Sequence, residues 1–356
     1  MKPIIVKSGG GCRASGLDVI RCFAILFVIG SHFFMYSGFN ETDFSSIPMF
    51  ILGMLQTLTM ANVPLFLMLT GYLNLNKTIS KKYYRGGIRV ITSYLLISII
   101  TVFFRKYFMH EDLSWLQGIL KILDFSAIPY AWYIEMWIGL FLLTPFLNIL
   151  WKNIDSRRNK HILLITMYLL TAFPDCFNRY GFSLVPGYWE LLYPMAFFFA
   201  GAYAREYEPQ IAVNKLIVIC LGVCFINPTI NILIFSHRPM LHLIGDGNGI
   251  FVMPMTVFFF LLFYRINIKS EWLKKAFAWI SVLSLDIYLF SWIFDQVVYP
   301  GLKGIKPTMQ SPLILAYYIA AVGSVFLLSL AAASIKKGTF SLFDISRHTN
   351  GKVLQH

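Results

Sequence analysis

Apolar residues in this chain form long runs that are separated by short polar segments. A helix that crosses a lipid bilayer needs about 20 mostly apolar residues, and ten runs approach that length. The runs cover residues 17–37, 47–73, 87–104, 131–151, 161–177, 188–204, 213–235, 248–265, 275–297 and 311–335. This pattern predicts an all-α, polytopic integral membrane protein of about ten transmembrane helices. Residues 17–335 then form the membrane domain, and residues 1–16 and 336–356 form two tails.

The composition supports a membrane protein rather than a soluble one. Hydrophobic residues make up 57% of the 356 residues, and charged residues make up only 13%. A soluble domain normally carries about 25% charged residues. A chain of this length with so little charge has too few polar side chains to cover a water-soluble globule.

The distribution of positive charge predicts the orientation of the helices. The sequence contains 30 Lys and Arg residues and has a formal net charge of +13. If the N-terminus is cytoplasmic, 22 of them fall on the cytoplasmic side, 7 on the opposite side and one, Arg21, inside the first run. Short loops rich in Lys and Arg stay in the cytoplasm. We therefore expect both termini to be cytoplasmic in a multi-pass protein of the inner (plasma) membrane. Contact with anionic lipids then explains the basic character without nucleic acid.

His32 is an ionisable residue within the first apolar run. It lies 15 residues after Leu17, which is about 22 Å along a helix and so in the outer half of the membrane. Ionisable side chains in membrane helices cost a few kcal/mol and usually face a functional cavity. An imidazole can accept and release a proton near neutral pH. A buried structural histidine is the alternative, but the cost of burial favours a functional one.

Three carboxylates also lie in predicted helices. Glu135 is in the fourth run, which crosses in the opposite direction, so it should lie at a depth similar to that of His32. If the two meet, the carboxylate would orient the imidazole and raise its basicity. Asp286 lies about halfway along the ninth run, where it either forms a structural pair with an arginine or Asn62, or lines the site. Asp295 lies near the outer end of that run.

Two groups of charged residues lie near the cytoplasmic ends of helices. Asp18 and Arg21 are three residues apart and can pair on one helix face, either as an interfacial anchor or as part of a site. Arg85 and Arg89 are four residues apart and share a face. Paired guanidinium groups suit phosphate ligands, although the preference for positive charge on the cytoplasmic side also explains them.

The outer loops contain one amphipathic segment and several polar residues. SWLQGILKILDF, in the loop near residues 105–130, predicts a helix that lies along the membrane interface. Glu190, His237, His242 and Asp246 lie on or near the outer side. We interpret them as solvated loop residues, because exposed polar side chains are common.

Four segments together resemble the acyltransferase family 3 membrane enzymes. GLDVIRCFAILFVIGSHF is similar to the first helix of that family, which begins with Leu-Asp-x-x-Arg and carries a histidine about a helix-length later. LTGYLNLNK followed by Arg85 and Arg89 resembles its Gly-Tyr-Leu segment and arginine motif. AWYIEMWIGLFLLTPFLN and LSLDIYLFSWIF resemble two later helices. The resemblance covers about residues 16–335.

This resemblance implies transfer of an acyl group, usually acetyl from acetyl-CoA, to a hydroxyl of a sugar or another cell-envelope acceptor. It implies an essential role for His32 and assigns the arginine motif to Arg85 and Arg89. The chain departs from the family in three places. Its arginines are four residues apart rather than three, Ser291 replaces a late histidine, and Glu135 replaces an aromatic residue found in many relatives.

The predicted mechanism combines these residues. Arg85 and Arg89 hold the CoA phosphates at the cytoplasmic mouth, and a funnel between helices admits the pantetheine arm. His32, oriented by Glu135, deprotonates the acceptor hydroxyl or takes the acyl group first. Further residues that would line the site are Asp18, Arg21, Asp286 and Ser291. We expect acyl-CoA as a co-substrate, a carbohydrate or glycolipid acceptor, contact with membrane lipids, and neither a metal nor a permanently bound cofactor.

Two alternatives stay open at this point. A proton-coupled transporter or flippase of an envelope precursor would use His32, Glu135 and Asp286 as a proton relay. Such a transporter commonly contains an inverted repeat, and none is evident in the sequence. The second alternative is a non-catalytic partner within an envelope-polysaccharide complex.

Overall fold

The computed structural model describes residues 15–43, 45–178, 183–235, 247–302 and 309–353. This part of the chain is built from helices joined by short turns and contains no β-sheet. Its α-helices are α1 Ser15–Tyr36, α2 Ile47–Thr59, α3 Asn62–Asn74, α4 Lys81–Tyr107, α5 Trp115–Leu123, α6 Trp132–Lys152, α7 Arg157–Phe177, α8 Tyr193–Tyr207, α9 Val213–Phe235, α10 Val252–Phe263, α11 Glu271–Val298 and α12 Leu313–Val353. The predicted all-α class is confirmed.

Seven segments of the described chain are long and apolar enough to cross a membrane. They are Ser15–Glu41, Ile47–Asn74, Lys81–Tyr107, Pro129–Lys152, Val213–Ile230, Glu271–Gly301 and Leu313–Thr339. The other three predicted spans correspond to α7, α8 and α10. Helix α8 has 15 residues and α10 has 12, so they extend about 22 and 18 Å, less than the hydrocarbon thickness. Helix α7 has 21 residues, but its first turns are polar.

The second predicted span is two helices rather than one. The chain turns at Met60 and Ala61, between α2 and α3. Pro64 has no backbone N–H to donate to the carbonyl of Met60, and its ring crowds the preceding turn. The side chain of Asn62 accepts a hydrogen bond from the backbone N–H of Val63 at 2.5 Å, which supports the start of α3. A proline near the middle of a membrane segment thus changes its direction.

Helices α3 and α8 pack with their backbones in contact. A Cβ atom at Gly71 would collide with the backbone carbonyl of Phe198, and one at Gly201 would collide with that of Met68. Small residues allow this close approach between helices in membranes, where lipid removes most of the hydrophobic driving force. The short helix α8 is held in the interior in this way, and Phe197, Phe198 and Phe199 on it are buried.

A largely buried ion pair joins α11 to α12. Nζ of Lys336 lies 2.5 Å from Oδ1 of Asp286 and donates a hydrogen bond to Ser93 Oγ of α4 at 2.7 Å. Asp286 therefore forms a structural pair, as one of the two predictions has it, but its partner is Lys336 rather than an arginine or Asn62. The predicted C-terminal tail begins at Lys336, whereas α12 continues past this residue to Val353.

The amphipathic segment of the outer loop forms α5, as predicted. Ser114 caps its first turn in a capping box with Gln117, which satisfies two backbone N–H groups at the helix start. Its apolar side chains are exposed: Leu116, Ile119, Leu120 and Leu123. An exposed apolar stripe on a short helix fits a position at the membrane interface.

Several helix ends meet on the face of the bundle at which α1 begins, and we call this end the basic face. Contacts there join Ser15 to Ile266, Asn148 to Lys77, Trp151 to Glu206 and Arg265 to Glu208. Many of the described Lys and Arg residues lie there, including Lys81, Lys82, Arg157, Arg158, Lys274 and Lys275. The other end, which carries α5, is called the opposite face.

Candidate active site

The centre of the candidate site is a contact between His32 of α1 and Asp295 of α11. Nδ1 of the imidazole lies 2.9 Å from Oδ2 of the carboxylate. Both side chains are buried, and that of Asp295 has no accessible surface. The two atoms are within hydrogen-bond distance, but the angle at Nδ1 falls outside the usual limits for a hydrogen bond. Catalytic hydrogen bonds commonly tighten when substrate binds.

The other nitrogen of the His32 ring is available for chemistry. Within the described residues Nε2 makes no hydrogen bond, and 8% of the side-chain surface stays accessible. A carboxylate at Nδ1 orients the ring and stabilises the imidazolium that forms when Nε2 takes a proton. The pair therefore has the arrangement of a general base held by an acid.

Tyr130 fixes both members of this pair. It lies in a short 3-10 turn just before α6. Its ring stacks on the His32 ring, with centroids 3.8 Å apart, and its hydroxyl donates a hydrogen bond to Asp295 Oδ2 at 2.7 Å. The backbone carbonyl of Tyr130 accepts a hydrogen bond from the hydroxyl of Tyr288. Helices α1, α6 and α11 are thus tied together at the imidazole.

A chain of polar groups leads from this cluster toward the opposite face. The hydroxyl of Tyr36 lies 3.1 Å from that of Tyr130 and accepts a hydrogen bond from Gln296 Nε2 at 3.2 Å. Tyr36 also stacks on Tyr299 and is 36% exposed. The buried Asp295 is therefore connected through two phenols to the surface.

A cavity approaches the cluster from the basic face. Its volume is about 240 Å³, and it lies between α1, α3, α4, α6 and α11. Arg21 and Asn74 line one end, and Val28, Tyr133 and Tyr288 line the other. Val28 is one helical turn before His32, and Tyr288 holds the turn that carries Tyr130. The cavity thus reaches residues that neighbour the His32–Tyr130 cluster, whereas His32 itself does not line it.

Glu135 does not contact His32. It is exposed on α6, and the carboxylate beside the imidazole is Asp295 instead. The predicted orientation of His32 by Glu135 is therefore wrong. A similar depth in the membrane does not show which face of a helix a residue occupies. The residues on the buried face of α6 include Ile134, Leu140 and Thr144.

The two arginines of the predicted phosphate site lie on α4 but outside the cavity. Arg85 and Arg89 are both exposed, and Arg85 lines a separate surface depression with Lys81 and Tyr84. The arginine that lines the cavity is Arg21. Whether Arg85 and Arg89 bind the donor stays a prediction.

The other candidate residues have structural partners. Arg21 lies 3.6 Å from Asp18 and donates a hydrogen bond to Ser281 Oγ at 3.1 Å, so the predicted Asp18–Arg21 pair forms. Asp286 pairs with Lys336, as described above. Ser291 is fully buried and donates a hydrogen bond to the carbonyl of Tyr288 at 2.8 Å. Of the loop residues considered above, His237, His242 and Asp246 lie outside the described residues.

Sequence patterns contain little indication of the positions that Asp295 and Tyr130 occupy beside His32. Asp295 lies near a helix end, where a carboxylate is unremarkable, and its position among buried apolar residues emerges only from packing. Tyrosines near helix ends are typical of membrane interfaces, so Tyr130 carried no separate signal. The apolar sequence around Asp295, WIFDQVV, was the available hint.

Comparison with known proteins gives the family. A family model described as an acyltransferase domain matches residues 15–333, nearly the whole chain. No curated protein and no solved structure matches the chain. The matched region contains α1 to α11 and about the first half of α12, and it includes His32, Tyr130 and Asp295. The chain therefore belongs to the acyltransferase family 3, whose members its sequence motifs resemble.

Proposed function

We propose that this membrane acyltransferase moves an acetyl group from acetyl-CoA to a hydroxyl of a cell-envelope polysaccharide or glycolipid. The observation that carries the proposal is the contact of His32 with Asp295, together with a nearby cavity that is lined by Arg21 and by Tyr288, which is hydrogen-bonded to the backbone of Tyr130. A buried base that an acid orients is the arrangement that acyl transfer to a hydroxyl requires.

The orientation of the helices supports a cytoplasmic donor. The basic face carries many Lys and Arg residues, and such a face is normally cytoplasmic. The protein would then lie in the inner (plasma) membrane, with the cavity extending from the side on which acyl-CoA is made. Eleven residues separate Arg21 from His32, which is about 16 Å along α1. An extended pantetheine arm can span a distance of this order, with Arg21 near its phosphate end. Arg85 and Arg89 would hold phosphates farther out.

His32 would act as general base and then as general acid. Nε2 takes the proton of the acceptor hydroxyl as the oxygen attacks the thioester carbonyl carbon. The tetrahedral intermediate then collapses, the carbon–sulfur bond breaks, and the imidazolium returns the proton to the leaving sulfur. The products are an ester and free CoA. Asp295 stabilises the imidazolium between these steps, so it is a positioning residue rather than a group that reacts.

The acceptor would arrive from the opposite face. Tyr36, Tyr130 and Gln296 form the polar connection from that surface to Asp295. Phenols and amides both donate and accept hydrogen bonds, which suits the hydroxyl groups of a sugar. The second oxygen of Asp295 has no hydrogen-bond partner within the described residues and is buried, so the polar connection reaches the carboxylate through Oδ2.

The structure offers no support for the transporter alternative. A proton-coupled transporter would require His32, Glu135 and Asp286 to form a proton relay. Asp286 is neutralised by Lys336, and Glu135 is exposed away from the His32 pair. The relay is therefore not assembled in the described part of the chain.

Two experiments test the proposed function. Purified protein in lipid nanodiscs should consume acetyl-CoA, and His32→Ala should abolish this activity while Glu135→Gln retains it. Mass spectrometry of surface glycans from cells with and without the gene should show one acetyl-bearing species that only the first contain. Full activity in a folded His32→Ala variant would disprove the catalytic assignment. Proton-coupled substrate flux without CoA consumption would favour a transporter.

A further inference from the structure

A second cavity lies away from His32, between α7, α8 and α10. Its volume is about 400 Å³. Most of its wall is apolar, and this wall includes Leu164, Ile165, Phe197, Ala200, Val257 and Phe258. His161 and Tyr203 line its end at the basic face. The proposed acyl transfer uses none of these residues, so the cavity needs its own explanation.

The cavity opens sideways to the bilayer rather than into the protein. Ile165 lines it and is nonetheless 57% exposed, and Ile162, one turn earlier on α7, is also exposed. The wall along α7 extends from His161 to Tyr168, which is about 10 Å. One leaflet of the hydrocarbon core is about 15 Å thick. The groove can therefore hold most of one lipid acyl chain that enters from the surrounding membrane.

A fixed positive charge stands at the basic-face end of this groove. Nε and Nη2 of Arg157 donate hydrogen bonds to the hydroxyl of Tyr203 at 3.1 and 2.9 Å. The guanidinium also lies over the ring of Tyr207, 4.9 Å from its centroid. Nε2 of His161 lies 2.7 Å from the same Tyr203 hydroxyl. The side chains of Tyr203 and Tyr207 thus hold the guanidinium beside the groove.

The charge of Arg157 is not balanced by a carboxylate within the described residues. The nearby Lys160 differs in this respect, because it forms an ion pair with Glu206 at 2.8 Å. Arg265 is likewise paired, with Glu208 at 2.9 Å. A guanidinium that is fixed in place and left without a counter-charge is suited to a phosphate group, which it can bind through two hydrogen bonds.

We propose that this groove binds an anionic glycerophospholipid from the leaflet at the basic face. Its phosphate contacts Arg157 and His161, and one acyl chain occupies the groove between α7, α8 and α10. The positive charge of Arg157 lies where the headgroup phosphate would be, and the apolar wall of the groove lies where the acyl chain would be. The proposal does not depend on the acyl-transfer reaction.

Native mass spectrometry of the purified full-length protein tests the lipid preference. The protein is titrated with dioleoyl phosphatidylglycerol and, separately, with dioleoyl phosphatidylcholine, which has the same chains but no net charge. We expect one phosphatidylglycerol to bind about tenfold more tightly than phosphatidylcholine, because the choline cation of the latter compensates the phosphate charge and is repelled by Arg157. Equal binding of the two lipids would overturn the proposal.

Two variants and one matched control locate the site. Arg157→Gln should lower the affinity for phosphatidylglycerol about tenfold. Arg158→Gln removes the same charge from the next residue, whereas the contacts with Tyr203 and Tyr207 are made by Arg157, so this variant should leave binding unchanged. Ala200→Phe should weaken binding of both lipids by filling the groove. Each variant is first checked for an unchanged elution profile.

Two results would contradict the site as assigned. The first is an equal loss of binding in Arg157→Gln and Arg158→Gln, because it would show attraction to the whole basic face rather than to this groove. The second is displacement of phosphatidylglycerol by an equimolar isoprenyl phosphate, because it would assign the groove to a polyprenol-linked carrier instead.

Discussion

The imidazole of His32 and the carboxylate of Asp295 meet inside the helix bundle, with Nδ1 and Oδ2 2.9 Å apart. The two residues are 263 positions apart in the sequence, on helices α1 and α11. Tyr130 adds a stacked ring to one and a hydrogen bond to the other. This three-residue cluster explains how a histidine is accommodated deep in an apolar helix. The carboxylate of Asp295 orients the imidazole and can stabilise its protonated form.

Replacing Asp295 by Asn should slow the reaction without weakening donor binding. The amide keeps the shape of the carboxylate but cannot stabilise an imidazolium at His32. General acid–base catalysis contributes about 10²–10⁴-fold, so we expect kcat to fall by about 10²-fold with the KM for acetyl-CoA nearly unchanged. Steady-state kinetics in nanodiscs measures both.

Glu135→Gln provides the control for this variant. Glu135 is exposed, and it lies on the helix that follows Tyr130, so the substitution removes the same charge at a similar depth. Its kcat should equal that of the unaltered protein. A loss of rate in Glu135→Gln comparable to that in Asp295→Asn would mean that the local His32–Asp295 contact is not the cause.

Filling the cavity should affect donor binding more than chemistry. Val90 of α4 lines the cavity, and Val90→Trp would occupy the space proposed for the pantetheine arm. We expect the KM for acetyl-CoA to rise about tenfold or more. The donor would lose at least one strong contact with the cavity wall, and about 1.4 kcal/mol corresponds to a tenfold change in affinity. Titration of initial rates against acetyl-CoA measures the change.

The adjacent residue gives a matched control. Ile91 is 42% exposed on the same helix and does not line the cavity. Ile91→Trp adds the same bulk on the face that meets lipid, so its KM should stay near that of the unaltered protein. If both variants raise the KM equally, the cavity is not the donor path.

The identity of the helices could be predicted from the sequence, but their arrangement could not. Apolar length located each membrane segment, and the cost of a buried imidazole singled out His32. The partner of His32 was assigned to Glu135 because depth along a helix can be read from spacing alone. Which helices are neighbours is decided by packing between residues far apart in sequence, such as the contact of α1 with α11, and no local pattern records it.

Some features of the predicted segments depend on packing that length and composition do not record. Pro64 divides one apolar run into α2 and α3, although the run as a whole, Ile47–Asn74, is long and apolar enough to cross a membrane. Helices α8 and α10 are shorter than the hydrocarbon thickness, and other helices bury much of their surface. The partner of Asp286 could not be predicted because Lys336 lies beyond the predicted end of the last helix.

Breaking the Asp286–Lys336 pair should destabilise the fold. Lys336→Met leaves the Asp286 carboxylate largely buried without its counter-charge. Removing one partner of a buried pair costs about 3–5 kcal/mol, whereas replacing both with apolar residues is often neutral. We therefore expect a clearly lower thermal unfolding midpoint for Lys336→Met, and recovery of most of the loss in the double variant Asp286→Leu/Lys336→Met.

Activity distinguishes a structural role of this pair from a role in the reaction. If Asp286 only joins α11 to α12, the double variant should transfer acetyl groups at nearly the normal rate once it is folded. A stable but inactive double variant would instead place Asp286 in the reaction or in proton transfer.

The close approach of α3 and α8 should make Gly71 intolerant of even one methyl group. A Cβ at Gly71 meets the backbone of Phe198, which cannot move aside as a flexible side chain could. Overpacking of this kind costs about 1–3 kcal/mol, so Gly71→Ala should lower the unfolding midpoint.

Gly86, on α4, has no atom within 4 Å of the corresponding position. Gly86→Ala should therefore stabilise the protein by about 0.4–1 kcal/mol, because alanine restricts the unfolded chain. Thermal unfolding of both variants in the same detergent gives the comparison, and equal midpoints would show that α3 and α8 are not in backbone contact.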